Sequence, residues 1–145
     1  MTRVDFYLTK TGQQKQILVT ACRLAEKAYG RGHHVFIHTD DAASAQQLDE
    51  LMWTFRQGSF LPHAVVEQGN QPDKHDKVVI GHDHDPEFAH DVLINLASTI
   101  PEFFSRFERV AEIVSGDPTQ RDIARDRFRY YRDRGYELDT HELNN

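Results

Sequence analysis

"HVFIHTDDAASAQQLDELMW", His34 to Trp53, changes character halfway. Its first six residues form a short apolar run that reads as a strand. Asp40 and Asp41 follow, and either can cap a new helix. Beyond them Ala45, Leu48 and Met52 recur on one side of a helix. A strand that hands directly to a helix is half of a βαβ unit, so the neighbouring segments decide whether the pattern repeats.

It repeats on both sides. Upstream, "VDFYL" (Val4 to Leu8) reads as a strand. "QILVTACRLAEKAY" then carries Ile17, Ala21, Leu24 and Ala28 at helical spacing, and Gly30 and Gly32 end that helix. Downstream, "AVVEQ", "KVVIGH", "DVLINLA" and "RVAEIVS" read as strands, and "PEFFSRF" as a short helix. The last helix has Asp117 as N-cap, Pro118 at its first position and Gly135 after its end. Strands alternating with helices predict a three-layer α/β fold: a mostly parallel sheet with helices on both faces. A single domain is expected over residues 1–139, with residues 140–145 as a disordered tail.

The chain has 145 residues, 39% of them hydrophobic and 28% charged, which suits one domain with one core. No apolar run has membrane-spanning length, and Asp5 interrupts the first short run, so neither a membrane span nor a signal peptide is expected. The lone Cys22 excludes an intrachain disulfide and fits a reducing cytoplasm. Its place on a packed helix argues against a nucleophile. A net charge of −6 argues against unaided binding to nucleic acid.

Two motifs invite catalytic readings and are incomplete. "TKTGQQKQ" lies where a phosphate loop would follow the first strand, yet lacks the other glycines and the Lys-Ser/Thr end. "GHDHDPEFAHD" offers His82, His84 and His90 with Asp83 and Asp85, but it lies where a strand ends in a turn, where such residues are usually solvated. His34 and His38 alternate onto one face of their strand. There is no nucleophile elbow and no carboxylate pair that stands out. No catalytic residue, metal site or cofactor is expected.

Two surfaces read as docking sites instead. "MWTFRQGSFLPH" places Trp53, Phe55, Phe60 and Leu61 around a turn at Gly58-Ser59 that stops at Pro62. Each ring on its own reads as core. Together they exceed the room beneath one loop, so some should stay exposed for a partner. On the last helix, Arg121, Arg125 and Arg132 share one face with Phe128 among them, while Asp122, Asp126 and Asp133 form a separate stripe. Ile123, Ala124, Tyr130 and Tyr131 fall on the far side, toward the sheet. The plain reading of the Arg stripe is a solvated face with Arg–Asp pairs. The other is a seat for a short acidic peptide with an apolar end, because guanidinium groups take carboxylates bidentately.

At these residues the sequence resembles the chi subunit of the bacterial DNA polymerase III holoenzyme. "VDFYL", "LDELMWTFRQGSFLPH" and "IARDRFRYYRDRGYEL" carry the resemblance, in the same order and over nearly the whole chain. It implies a nucleotide-binding-like fold without a nucleotide site, and a non-catalytic replication subunit that meets DNA only indirectly. It implies two partners: the psi subunit, which tethers it to the clamp loader, and the acidic, Phe-terminated tail of single-stranded-DNA-binding protein. Trp53, Phe60 and Pro62 match the psi-contacting region, with Leu61 between the last two. Val114, Arg121, Arg125 and Phe128 match the tail-binding region, and Arg132 continues its stripe. Arg121 and Phe128 depart from the Lys and Tyr expected there, which keeps charge and aromatic area and loses a hydroxyl. The histidines around Gly81 belong to no part of the family pattern. The competing reading is a small nucleotide- or metal-dependent hydrolase using "TKTGQQK" or "HDHD".

Overall fold

A computed structural model describes residues 2–55, 61–66, 77–82 and 91–143. Among the described residues there are seven strands: β1 (Arg3–Leu8), β2 (Val35–Thr39), β3 (Ala64–Val66), β4 (Val78–His82), β5 (Val92–Asn95), β6 (Arg109–Val114) and β7 (Glu137–Glu142). They form one sheet in the order β3-β4-β2-β5-β6-β1-β7, and every pairing is parallel. The described α-helices are α1 (Gln14–Gly30), α2 (Ala42–Met52) and α3 (Pro118–Asp133). "PEFFSRF" forms a 3-10 turn, Glu102–Arg106.

The sheet divides two apolar layers. Leu18, Ala21 and Cys22 of α1 and Leu48 and Met52 of α2 pack with Val35, Ile37, Ile80 and Ile94. On the opposite face Phe36, Val79, Leu93 and Val110 meet Phe104 of the 3-10 turn and Tyr131 of α3. Alternate residues of β2 therefore serve opposite layers, which is why the central strands read as continuous apolar runs. The expected α/β sheet with helices on both faces is present.

Helix ends follow from identifiable caps. Asp41, not Asp40, caps α2: its carboxylate accepts from the Ser44 amide at 2.7 Å, and that bond holds its carboxyl below the usual range. Asp40 instead accepts from the amide and hydroxyl of Ser98, at 2.8 and 2.9 Å, and ties the ends of β2 and β5 together. Gly30 is the last residue of α1, and the terminating turn belongs to Gly32 at φ 85°. Gly135, at φ 83°, closes α3 in the same way: its amide donates to Arg132 O and that of Tyr136 to Tyr131 O.

The expectation for the C-terminus needs correcting. Thr140, His141 and Glu142 are not a loose tail; they complete β7, paired with Phe6, Tyr7 and Leu8 of β1. "ELDTHE" has no apolar alternation to announce a strand. Backbone pairing, an Arg3–Asp139 ion pair at 2.9 Å and a His141 ring stacked 4.8 Å from Tyr7 hold it there.

The loops after β1 and β6 meet closely. The Gly116 amide donates to Thr11 O at 2.8 Å, and a Cβ at Gly116 would stand 2.2 Å from Lys10 O. Because that neighbour is backbone, Gly116→Ala should cost about 1–3 kcal/mol, as overpacking does. Urea unfolding checks this; a wild-type midpoint would mean the two loops separate freely.

Candidate functional site

In a parallel sheet all strands end on one side, and crevices there serve as binding sites in α/β folds. The loops after β1, β5 and β6 line such a cleft here, of about 410 Å³. Phe6, Val114, Ile123 and Ala124 give it apolar walls, and Asn95, Glu112 and Arg127 stand at its polar side. The loop after β1, "TKTGQQKQ", closes on itself. The Gln13 amide donates to Thr11 Oγ1, and Thr11 O accepts from Thr9 Oγ1 and from the Gly116 amide. Those groups serve the loop rather than a phosphate. The thiol of Cys22 is buried in the helix layer, and burial pushes it up to about 12, so it offers no thiolate near neutral pH.

The polar side of the cleft is a buried network that sequence reasoning missed. Glu112 is 1% exposed. Its carboxylate accepts from Arg127 Nη1 at 2.7 Å, Tyr131 OH at 2.7 Å and Asn95 Nδ2 at 3.0 Å. Arg127 Nη2 also donates to Ala97 O at 2.8 Å. Burial, and next the Glu112 charge, push the Tyr131 phenol far up, so it remains a donor. A Glu inside a strand otherwise read as core was the available signal.

Beside this network, α3 carries the predicted Arg stripe. Arg121 is linked to Val114 through Thr9, and Phe128 packs against the same apolar layer that holds Val114. Arg121 Nη2 donates to Thr9 O at 2.9 Å, and the Thr9 amide donates to Val114 O at 2.9 Å. Phe128 is half-buried, with its ring 5.5 Å from Phe6. Arg125 and Arg132 extend the same flank into solvent, with side chains 71% and 59% exposed. The Asp stripe is less segregated than its spacing implies. Asp122 pairs with Arg125 at 2.9 Å, Asp126 with Arg129 at 3.3 Å and Asp133 with Arg132 at 3.2 Å. Such exposed pairs hold side chains weakly, at about 0–1 kcal/mol each. Ile123, expected against the sheet, is 40% exposed, because Arg127 takes the position nearest Glu112.

On the other helix layer lie the described ends of the predicted apolar loop. Trp53, the C-cap of α2, is 53% exposed. Pro62 is exposed too. Leu61 is a correction: it is 2% exposed and packs in the core with the helix-layer residues. It anchors the loop's return rather than offering a surface. Phe55 is half-buried against the same core. Phe60, Gly58 and Ser59 lie outside the described residues, as do Asp83, His84, Asp85 and His90. His82 is half-buried at the end of β4. One group among the described residues has metal-ligand spacing: Asp5, Asp139 and His141, within 4.8 Å. Arg3 already supplies the cation there, 3.5 Å from Asp5 and 2.9 Å from Asp139.

Trp53 and the Arg flank of α3 lie on opposite faces of the sheet. Comparison with known proteins is decisive for the family. Residues 1–139 match the family described as "DNA polymerase III chi subunit, HolC". The chain belongs to the DNA polymerase III chi subunit family. Its relatives include DNA polymerase III subunit chi of Pseudomonas aeruginosa, 43% identical over 99% of this chain and 98% of that protein. The Escherichia coli K12 protein of the same name is 27% identical over 97% of each. Among solved structures, T4 UvsW superposes with a TM-score of 0.71 at 8% identity, over 99% of this chain and 42% of that one. That likeness concerns the α/β fold alone. Membership makes this chain a DNA replication subunit. Among the described residues no helix is long and apolar enough to cross a membrane.

Proposed function

We propose that this chain is a non-catalytic adaptor of the replication machinery. It docks on the psi subunit, and through psi on the clamp loader, by the surface around Trp53. It holds the acidic, Phe-terminated tail of single-stranded-DNA-binding protein along α3. It touches DNA only through these partners, works in the cytoplasm and needs no cofactor. The observation that carries the first contact is Trp53 itself. A Trp 53% exposed beside an exposed Pro is the composition of an interface anchor. Support for the second is Arg121, bound to the O of Thr9, whose amide in turn holds Val114 O, with two solvated guanidinium groups farther along the same helix.

Calorimetry with the psi subunit of the same organism tests the first contact. Trp53→Ala should weaken binding by about 2 kcal/mol or more, as at an interface hot spot. It should leave the fold intact, since the ring is not core. Unchanged affinity in a folded variant would remove Trp53 from the interface.

A further inference from the structure

β7 ends the sheet on the side opposite β3, and among the described residues no strand lies beyond it. It pairs with β1 in unbroken register, from Arg3↔Glu137 to Leu8↔Glu142. Leu143 continues that ladder, its amide donating to Leu8 O at 2.9 Å. Along a strand, the backbone groups of successive residues turn to opposite sides. Glu137, Asp139 and His141 therefore face β1, as Leu143 does. Leu138, Thr140 and Glu142 turn their N–H and C=O groups outward. The Thr140 amide fits this, since it donates to the Asp139 carboxylate at 2.9 Å.

An open edge is a template for a further strand unless it is blunted by proline, lysine, a bulge or a very short length. β7 is six residues, "ELDTHE", with none of these. Its side chains divide between two faces. Leu138 packs toward the apolar layer under α3. Asp139 and His141 lie on the other face, against Arg3 and Tyr7, and Glu137 shares it. Across β1 and β7, the carboxylates of Asp5, Glu137, Asp139 and Glu142 stand against the one guanidinium of Arg3. A second copy of this chain pairing edge to edge would bring like charges together, which is destabilising. A cationic strand meets the opposite situation.

We infer that the outer edge of β7 is a docking site for an extended, basic segment of a partner protein, which adds to the sheet as a further strand. Its Lys or Arg side chains lie beside Glu137 and Asp139, and its alternate, apolar side chains beside Leu138 and Thr140. A carbonyl of the segment takes the Thr140 amide, and a cation takes the Asp139 carboxylate that this amide releases. The edge is acidic where the α3 flank is basic, and it is remote from Trp53 in the chain. The inference stands whether or not the psi and tail contacts do.

The probe is a capped peptide alternating lysine and valine, added to the intact protein while amide hydrogen exchange is followed by NMR. In the free protein the Leu138 and Glu142 amides should exchange readily, and those of Asp139 and His141 should be protected. With peptide bound, the two outward amides should slow by about fivefold or more, as newly paired groups do. A peptide alternating glutamate and valine should protect neither. Glu137→Lys should weaken the lysine peptide by about fivefold, since it replaces an attractive cross-strand pair with a repulsive one. Thr140→Pro removes an outward donor without touching the bonds to β1, as an edge strand tolerates, and should abolish the protection. Four results would overturn the inference: no protection of the outward amides, equal protection by both peptides, wild-type binding in both variants, or protection that appears without peptide as protein concentration rises. The last would make the edge a contact between copies of this chain.

Discussion

Arg127→Met should destabilise the protein by about 3–5 kcal/mol, the cost of leaving a buried charge without its partner. Glu112 is 1% exposed and Arg127 supplies its countercharge at 2.7 Å, with a side chain 15% exposed. The remaining donors, Tyr131 OH and Asn95 Nδ2, solvate the carboxylate but do not neutralise it. The same substitution also frees Ala97 O. The control lies on the same helix. Arg125→Ala breaks an ion pair whose side chains are 71% and 75% exposed, and should change stability by less than about 1 kcal/mol. Urea unfolding of the two variants separates these cases. A loss under about 1 kcal/mol for Arg127→Met would mean that the carboxylate gains a proton or water rather than standing as a buried ion. If the prediction holds, the triple variant Glu112→Leu, Arg127→Met, Tyr131→Phe should recover much of the loss, because apolar replacements of similar volume remove both buried charges and the phenol, while Asn95 Nδ2 keeps its bond to Thr99 O.

The fold was legible where local chemistry and packing agree. Asp117, Pro118 and Gly135 bracket α3 in the sequence, and the structure uses them as cap, first residue and left-handed stop. The apolar runs of β2, β4 and β5 announce a sheet covered on both faces. β7 was illegible because a polar edge strand draws its stability from β1, far away in the chain. The docking surfaces were half legible. Period and composition put Arg121, Arg125, Phe128 and Arg132 on one flank. They could not show that Arg121 also binds Thr9 O, or that Arg127 turns inward to a carboxylate 15 residues away. In the same way, the loop sequence made Trp53 and Leu61 look alike. Only the packing separates them, one 53% and the other 2% exposed.

An acidic peptide ending in Phe should bind along α3 with two separable contributions. The first is charge. Arg121, Arg125 and Arg132 lie on one flank of the helix, and the last two are solvated. Affinity should fall as salt rises, because exposed charges are screened beyond about 10 Å at 0.1 M. Arg125→Ala should weaken binding by about 1–3 kcal/mol, the worth of a hydrogen bond to a charged group. Arg121→Glu should cost about 2–4 kcal/mol, since it sets a like charge against the acids and gives up the bond to Thr9 O. The second contribution is apolar. Val114 is 5% exposed at the floor of the cleft that Phe6, Ile123 and Ala124 also line, and Phe128 packs on Phe6 at its edge. A terminal Phe seated there gains about 1.5–3 kcal/mol from burial, which salt does not remove. Removing that residue from the peptide should therefore weaken binding at low and high salt alike. None of these changes should alter the affinity of the Trp53 surface for psi, because α2 and α3 pack on opposite faces of the sheet. Fluorescence anisotropy of a labelled peptide across a salt series measures both parts. Wild-type affinity in both Arg variants would leave the stripe as a solvated face whose pairs with Asp122, Asp126 and Asp133 are its whole role.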